Sequence, residues 1–232
     1  AEHRAHGMES PTCSTAVKGV MYGIQRTLGM PPEPVDALLT EDIQRMVAKL
    51  PDTLQGQRDS AILLIGFAGA FRRSELVALN CDDLHLRPEG YLIRIPRSKT
   101  DQHGQGRWVG IPYGEHADTC PVLALQRWLT ASGINDGAVF HGVNRHGHLA
   151  SARLSKRAIA DIVKRAAEAA GLDPHRYSGH SLRSGHCTSA ARAGVPERII
   201  ARQTGHRSER MVRRYIQESS VFTENSAKSL GL

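Results

Sequence analysis

A few short stretches of this chain carry side chains suited to reaction at a phosphorus centre. Phe71-Arg-Arg-Ser-Glu-Leu76 places Arg72 three residues before Glu75. Gly179-His-Ser-Leu-Arg-Ser-Gly185 sets His180 and Arg183 three apart at the start of a helix, on neighbouring turns. Thr204-Gly-His206 is followed nine residues later by Tyr215, and Ser98-Lys-Thr-Asp101 offers Lys99 in a polar loop. Planar guanidiniums can hold phosphate oxygens bidentately and stay charged at any working pH. Imidazoles move protons near neutrality, and a Tyr hydroxyl, with a pKa of about 10, becomes a nucleophile where cations favour the phenolate. Each motif alone has a plainer explanation. Arg72 could pair with Glu75 on a helix surface, and His180 and Arg183 could mark a capped helix start. Lys99 could be plain surface, and Tyr215 a half-buried packing residue. The ordered set is what asks for a common cause.

The elements that must position these residues are mostly helices. Val17, Val20, Met21, Ile24 and Leu28 make one apolar face of a helix over 15–28. Residues 29–39, with Pro31, Pro32 and Pro34, read as an extended linker. Thr40 is expected to cap a helix with Ile43, Met46, Val47 and Leu50 on its buried stripe, ended by Pro51. The apolar run 61–71 reads as a buried helix, and Ser74 as the cap of another running to Asn80. Alternation then predicts strands at Leu84–Leu86, Tyr91–Ile95 and Arg107–Ile111, with a turn at Arg87–Gly90 and a polar loop from Ser98 to Gly106. Further helices are expected from Pro121 to near Gly133, after Ser155, over Ser181–Ala193, after Pro196, and from Ser208 through Tyr215. The fold class is therefore mainly α with a small inserted antiparallel β-sheet. The organisation is 1–28 as the last helix of a preceding domain, 29–39 as linker, and 40–232 as the main domain with its C-terminal tail.

Charge narrows the partners. The 232 residues carry a formal charge of +7. Residues 151–217 hold 14 Lys and Arg against 5 Asp and Glu, whereas the rest of the chain holds 16 against 18. The positive field thus belongs to the C-terminal third and suits a polyanion. With 5% aromatics, base stacking is not the main recognition device. The longest uncharged apolar run, Ala61–Phe71, is far short of the roughly 20 residues of a membrane helix, and the first residues lack the apolar core of a signal peptide. Cys13, Cys81, Cys120 and Cys187 are too scattered for a disulfide framework, consistent with free thiols in a reducing cytosol. His141, His146 and His148 have no Cys or Glu to complete a zinc set.

The series Arg-x-Ser-Glu-Leu, Ser-Lys-Thr, His-Ser-Leu-Arg-Ser-Gly and Thr-Gly-His with Tyr nine residues later resembles the tyrosine recombinase, or phage integrase, family from Thr40 to the C-terminus. The helix before the linker then corresponds to the end of a DNA-clamp domain. The resemblance implies six catalytic residues: Arg72 and Arg183, Lys99 on a strand hairpin, His180, His206 and the nucleophile Tyr215. Ala68-Gly-Ala-Phe71 departs from the family's Thr-Gly-Leu and makes Arg73 a rival for the first arginine. Arg72 is preferred because it stands two before the Ser of Ser-Glu-Leu. Lys99 is implied as the acid that protonates the departing 5′ oxygen, and Glu75 as a brace. Arg202, Arg207, Arg210, Arg213 and Arg214, around His206 and Tyr215, are expected on the phosphate backbone, where they supply affinity without sequence choice.

The activity so implied is site-specific cleavage and rejoining of DNA through a 3′-phosphotyrosyl intermediate, for integration or excision of a mobile element. Four fixed donors aimed at developing charge, at ~3–4 kcal/mol each, supply much of the acceleration, so no cofactor or metal is expected. The expected partner is double-stranded DNA with paired recognition half-sites, bound by a homotetramer that is monomeric without DNA. An accessory DNA-bending or directionality factor, a cytoplasmic location and no membrane complete the expectation. The alternatives are a type IB topoisomerase-like nicking-closing enzyme, a non-catalytic basic DNA-binding module, and a metalloprotein built on His141–His148.

Overall fold

The computed structural model describes residues 7–8, 10–28, 35–96, 106–206 and 213. The chain divides into two units, Ala1–Pro34 and Val35–Leu232. The first holds a short turn at Pro11–Cys13 and helix α1 (Thr15–Leu28), where the apolar spacing placed one. Residues 35–39, expected as linker, belong to the second unit. Asp36 N–H donates to the Arg176 carbonyl and Leu38 N–H to that of Ser181, and the Leu38 side chain is fully buried.

The second unit opens with α2 (Thr40–Ala48), α3 (Leu54–Ala68) and α4 (Arg73–Ala78). Neither Thr40 nor Ser74 caps its helix. The caps are Leu39 and Arg72, whose backbone N–H groups donate to the side chains of Asp42 and Glu75, three residues on. An acidic residue at the third helical position performs from inside the helix what Ser or Thr does from outside. The run 61–71 is helical only to Ala68. Its residues Ala61–Ile65 are buried on every side because α3 separates two cores. One comprises Ile62, Ile65, Phe71, Ile93, Val109, Leu125 and Trp128, and the other Leu38, Met46, Leu63, Val163 and Leu182. Burying each such side chain stabilises by about 1.5–3 kcal/mol, so the central helix anchors both layers.

Strands β1 (Leu84–Arg87), β2 (Gly90–Ile95) and β3 (Arg107–Pro112) form the expected antiparallel sheet in the order β1-β2-β3. Tyr91 faces Ile111 and Ile93 faces Val109 across the β2–β3 pair, and all four are buried. Next come α5 (Pro121–Ser132), β4 (His141–Val143), β5 (Leu149–Arg153), α6 (Lys156–Ala169), α7 (Ser181–Arg192) and α8 (Glu197–Thr204). Ser155 caps α6 as expected, accepting from the Ala158 N–H. The β4–β5 hairpin was not expected. Every residue of β5 is exposed, so it shows none of the apolar alternation that marks a strand. Among the described residues, no helix is long and apolar enough to cross a membrane. The helix expected over 208–215 lies outside them, apart from Arg213.

Candidate active site

The site is built where α3 ends. Phe71 N–H donates to the Gly66 carbonyl and Ala70 N–H to that of Phe67, a hydrogen-bonded stop that needs a left-handed residue just past the helix. That residue is Ala70, at φ +49°, although Gly69 stands beside it. Gly69 has its own constraint, since a Cβ there would lie 2.4 Å from the Phe71 ring. Holding alanine in this region costs roughly 1–2 kcal/mol. The stop leaves the Ala70 carbonyl accepting from Arg183 Nη1 at 2.7 Å, a bond between residues 113 apart in sequence.

Arg183 is 1% exposed, in the first turn of α7. Its Nη2 lies 3.0 Å from His206 Nε2. Burial, reinforced by the Arg72 and Arg107 charges, lowers its pKa to about 10, so it remains a cation at neutral pH. Arg72, just before α4, donates Nη1 to Glu75 Oε1 at 2.7 Å, while its backbone N–H takes Oε2 at 2.9 Å. Arg73 is exposed and lays its stem over Gly179, where a Cβ would lie 2.5 Å from Arg73 Cγ.

His180 immediately precedes α7, its carbonyl accepting from the N–H groups of Arg183 and Ser184. Partial burial, then Arg183, Arg72 and Arg73, hold its imidazole below the usual histidine range. His206 follows Gly205, which leaves α8 in a left-handed conformation at φ +66°. Its pKa falls to about 4, through burial first and then Arg183, Arg72, His180 and Arg107. Arg72, His180, Arg183 and His206, from three separate stretches of chain, thus act on one another at one place.

A third guanidinium joins them. Arg107, first in β3, donates Nη2 to Glu75 Oε2 at 3.2 Å and Nη1 to the Gln203 carbonyl at 2.8 Å. Its Nε is buried with no hydrogen-bond partner among the described residues, and Gly205 packs so close that a Cβ would lie 2.8 Å from it. Glu75, 2% exposed, therefore joins Arg72 to Arg107 and α4 to the sheet, and Arg107 carries the link on to α8. Sequence reading overlooked Arg107, yet a signal existed. It shares the inward parity of Val109 and Ile111, and an arginine on a buried strand face requires a partner. Glu75→Gln keeps the shape but leaves two guanidiniums uncompensated. Urea unfolding is expected to show a loss of about 3 kcal/mol, and a loss under 1 kcal/mol would mean that the clamp carries little energy.

The imidazoles give a pH signature. His180, His186 and His206 are all lowered in the folded state. The unfolded chain therefore takes up their protons first, and stability is complete above about pH 6.5 and declines as pH falls towards 4. The thermal midpoint is expected to drop across that window and to drop less in His206→Gln. Equal slopes in the two proteins would contradict the His206 assignment.

Of the expected phosphate contacts, Arg202 is exposed on α8, and Arg213 points its Nε at the Glu197 carboxylate at 3.3 Å. Lys99, Tyr215, Arg207, Arg210 and Arg214 lie outside the described residues. The histidines of β4–β5 are engaged locally: His141 Nδ1 lies 2.9 Å from the Ala150 carbonyl, and His146 accepts from Arg145.

The phage integrase family profile matches residues 36–220. An integrase/recombinase XerD homologue of Selenomonas ruminantium is 40% identical over 222 residues, which are 95% of this chain and 65% of that protein. Tyrosine recombinase XerC of Pelotomaculum thermopropionicum is 34% identical over 181 residues, 72% of this chain and 53% of that protein. This chain thus spans about half to two thirds of the length of those relatives. A crystal structure of the XerH site-specific recombinase, bound to a palindromic difH substrate after cleavage, shares the fold. Its TM-score is 0.62 at 18% identity, covering 83% of this chain and 54% of that one. On the match over residues 36–220, this chain belongs to the phage integrase family of tyrosine recombinases.

Proposed function

We propose that this chain is the catalytic part of a site-specific DNA recombinase, cutting and rejoining DNA by two transesterifications. The observation that carries the reading is the convergence of Arg72, Arg183, His180 and His206 on one spot, braced through Glu75 and Arg107. The relatives are named as recombinases, which supports the same chemistry here.

The Tyr215 oxygen attacks the phosphorus, its hydroxyl proton passing to a neighbouring neutral imidazole, and the bond to the 5′ oxygen breaks. The departing oxygen takes a proton from Lys99, and the tyrosine is left on the 3′ phosphate. The phosphotyrosyl link preserves the bond energy, so a 5′-hydroxyl from a second strand can reverse the step with no nucleotide cofactor. Arg72 and Arg183 hold the non-bridging oxygens as charge concentrates on them, worth ~3–4 kcal/mol for each donor. His180 and His206 serve proton transfer or hydrogen bonding to the phosphate. Arg202, Arg207, Arg210, Arg213 and Arg214 meet the backbone, Arg213 after leaving Glu197. The partner is duplex DNA with paired half-sites, engaged in the cytoplasm as a homotetramer with an accessory bending or directionality factor, for integration or excision of a mobile element. The helix over 15–28 ends the clamp domain that completes the grip.

The test is covalent capture. The protein, extended upstream to include its clamp, is mixed with fragmented DNA and quenched in SDS. An SDS-resistant adduct is expected, and sequencing the trapped ends identifies the target. Retained DNA binding with no adduct would favour the non-catalytic module. Plasmid relaxation without strand exchange would favour a topoisomerase.

A further inference from the structure

The last four carbonyls of an α-helix have no donor within the helix and must be met from outside it. In α3 the following turn meets three of them. The Ile65 carbonyl accepts from Gly69 N–H at 2.9 Å, that of Gly66 from Phe71 N–H at 3.1 Å, and that of Phe67 from Ala70 N–H at 3.1 Å. The fourth, of Ala68, accepts from Nε2 of Gln203 at 3.0 Å, across 135 residues of sequence. The same nitrogen donates to the Gly110 carbonyl at 3.1 Å. That carbonyl is an edge group, because β3 ends the order β1-β2-β3. Tyr113 N–H donates to the Glu89 carbonyl, and hydrogen-bonded pairs alternate along antiparallel strands. Leu92 and Gly110 are therefore a non-hydrogen-bonded pair, and Gly110 turns its carbonyl away from β2. A carbonyl only accepts, so the Gln203 amide must present its NH2 group here, and both hydrogens are used. The backbone carbonyl of Gln203, in the last turn of α8, accepts from Arg107 Nη1 at 2.8 Å.

We propose that Gln203 is a positioning residue for the cleavage site: its side-chain amide locks the end of α8 to α3 and β3, and so sets where His206 meets the phosphate. His206 hangs directly from that end. After the left-handed Gly205, its N–H donates to the Ala201 carbonyl at 3.1 Å. The two carbonyls that Gln203 reaches belong to the elements carrying the rest of the site. Ala68 stands two residues before Ala70, whose carbonyl holds Arg183, and four before Arg72. Gly110 stands three beyond Arg107. A displacement of α8 against α3 is therefore a displacement of His206 against Arg72 and Arg183. Gln203 is only half-buried, so water can satisfy both carbonyls once the amide is removed. Water ties no helix to them, however. Loss of the amide costs alignment far more than stability, and a misplacement of about 1 Å can cost roughly a hundredfold in rate.

The effect on cleavage rests on the recombinase reading, but the lock itself is measured without it. In 1H–15N spectra of the native protein, both side-chain amide hydrogens of Gln203 are expected to exchange slowly with water. Exchange at the rate of a free glutamine amide overturns the proposal. Gln203→Met keeps the length and removes both donors. Burial, then Arg183, Arg72, His180 and Arg107, hold His206 at a pKa of about 4. Released from them in Gln203→Met, the ring is expected to titrate closer to the ordinary value of about 6.5, while the thermal midpoint falls by no more than about 5 °C. Single-turnover cleavage by the upstream-extended protein is then measured on the duplex sequenced from the trapped ends. The rate at saturating DNA is expected to fall between about tenfold and a hundredfold, with the half-saturating concentration within about twofold of native. Gln203→Asn, one methylene shorter and able to reach one carbonyl, is expected to lie between the two. An unchanged His206 pKa in Gln203→Met overturns the proposal, and so does a raised pKa with a native rate at saturation. Where Gln203→Met does not fold, the same two readings on Gln203→Asn decide. A native protein that forms no adduct defeats the recombinase reading, and the His206 titration still decides whether Gln203 holds the end of α8.

Discussion

Tyr215→Phe is expected to abolish the SDS-resistant DNA adduct while leaving DNA binding within about twofold of native. The substitution removes one oxygen and no charge. The affinity of a protein for DNA comes mainly from cations on phosphates, and that set is untouched. A water attacking the same phosphorus would cut the strand and leave nothing covalently attached. The comparison therefore reads the covalent step alone, by gel mobility in SDS against mobility under native conditions. Adduct formation by the phenylalanine protein would exclude Tyr215 as the nucleophile and remove the basis of the recombinase reading.

Arg183→Lys should have the next largest effect, a fall in cleavage of at least about a hundredfold. A guanidinium spans two acceptors at fixed angles, here the Ala70 carbonyl and His206 Nε2. Lysine presents a point charge that reaches one of them. It is also easily discharged when buried beside other cations, and Arg72 and Arg107 already lower the pKa of the native side chain. Because the lysine stem fills most of the same space, unfolding free energy is expected to change by no more than about 2 kcal/mol. Single-turnover cleavage together with urea unfolding separates the two effects. Unimpaired cleavage would show that this position supplies only charge.

Much of this was legible from residue order. The strand alternation of Tyr91, Ile93 and Ile95 against Val109 and Ile111 is a local signal strong enough to predict the sheet. His180 and Arg183 owe their proximity to a single helical turn, so spacing alone places them together. Other features depend on partners distant in sequence. Asp42 and Glu75 cap their helices from the third position, and Glu75 does so while bonded to Arg107 on a strand 32 residues away. The β4–β5 hairpin lacks a buried face, so its pattern is that of a loop. The strained Ala70 could not be foreseen either. By residue type the neighbouring glycine suits the turn at no penalty, and only the Phe71 ring lying over Gly69 explains why the turn falls one residue later.

The burial of Leu38 under α7 has a mechanical meaning. At Gly185 an added Cβ would stand 1.8 Å from the Leu38 carbonyl oxygen, and Leu38 N–H is bonded to the carbonyl of Ser181. The backbone entering the second unit is therefore tethered to the same helical turn that carries Arg183, one residue from His180. Tension drawn along the chain from upstream would be borne first by Asp36, bonded to the Arg176 carbonyl, and next by that turn through Leu38. A load on the preceding segment and the alignment of His180 and Arg183 are thus connected through these two backbone bonds.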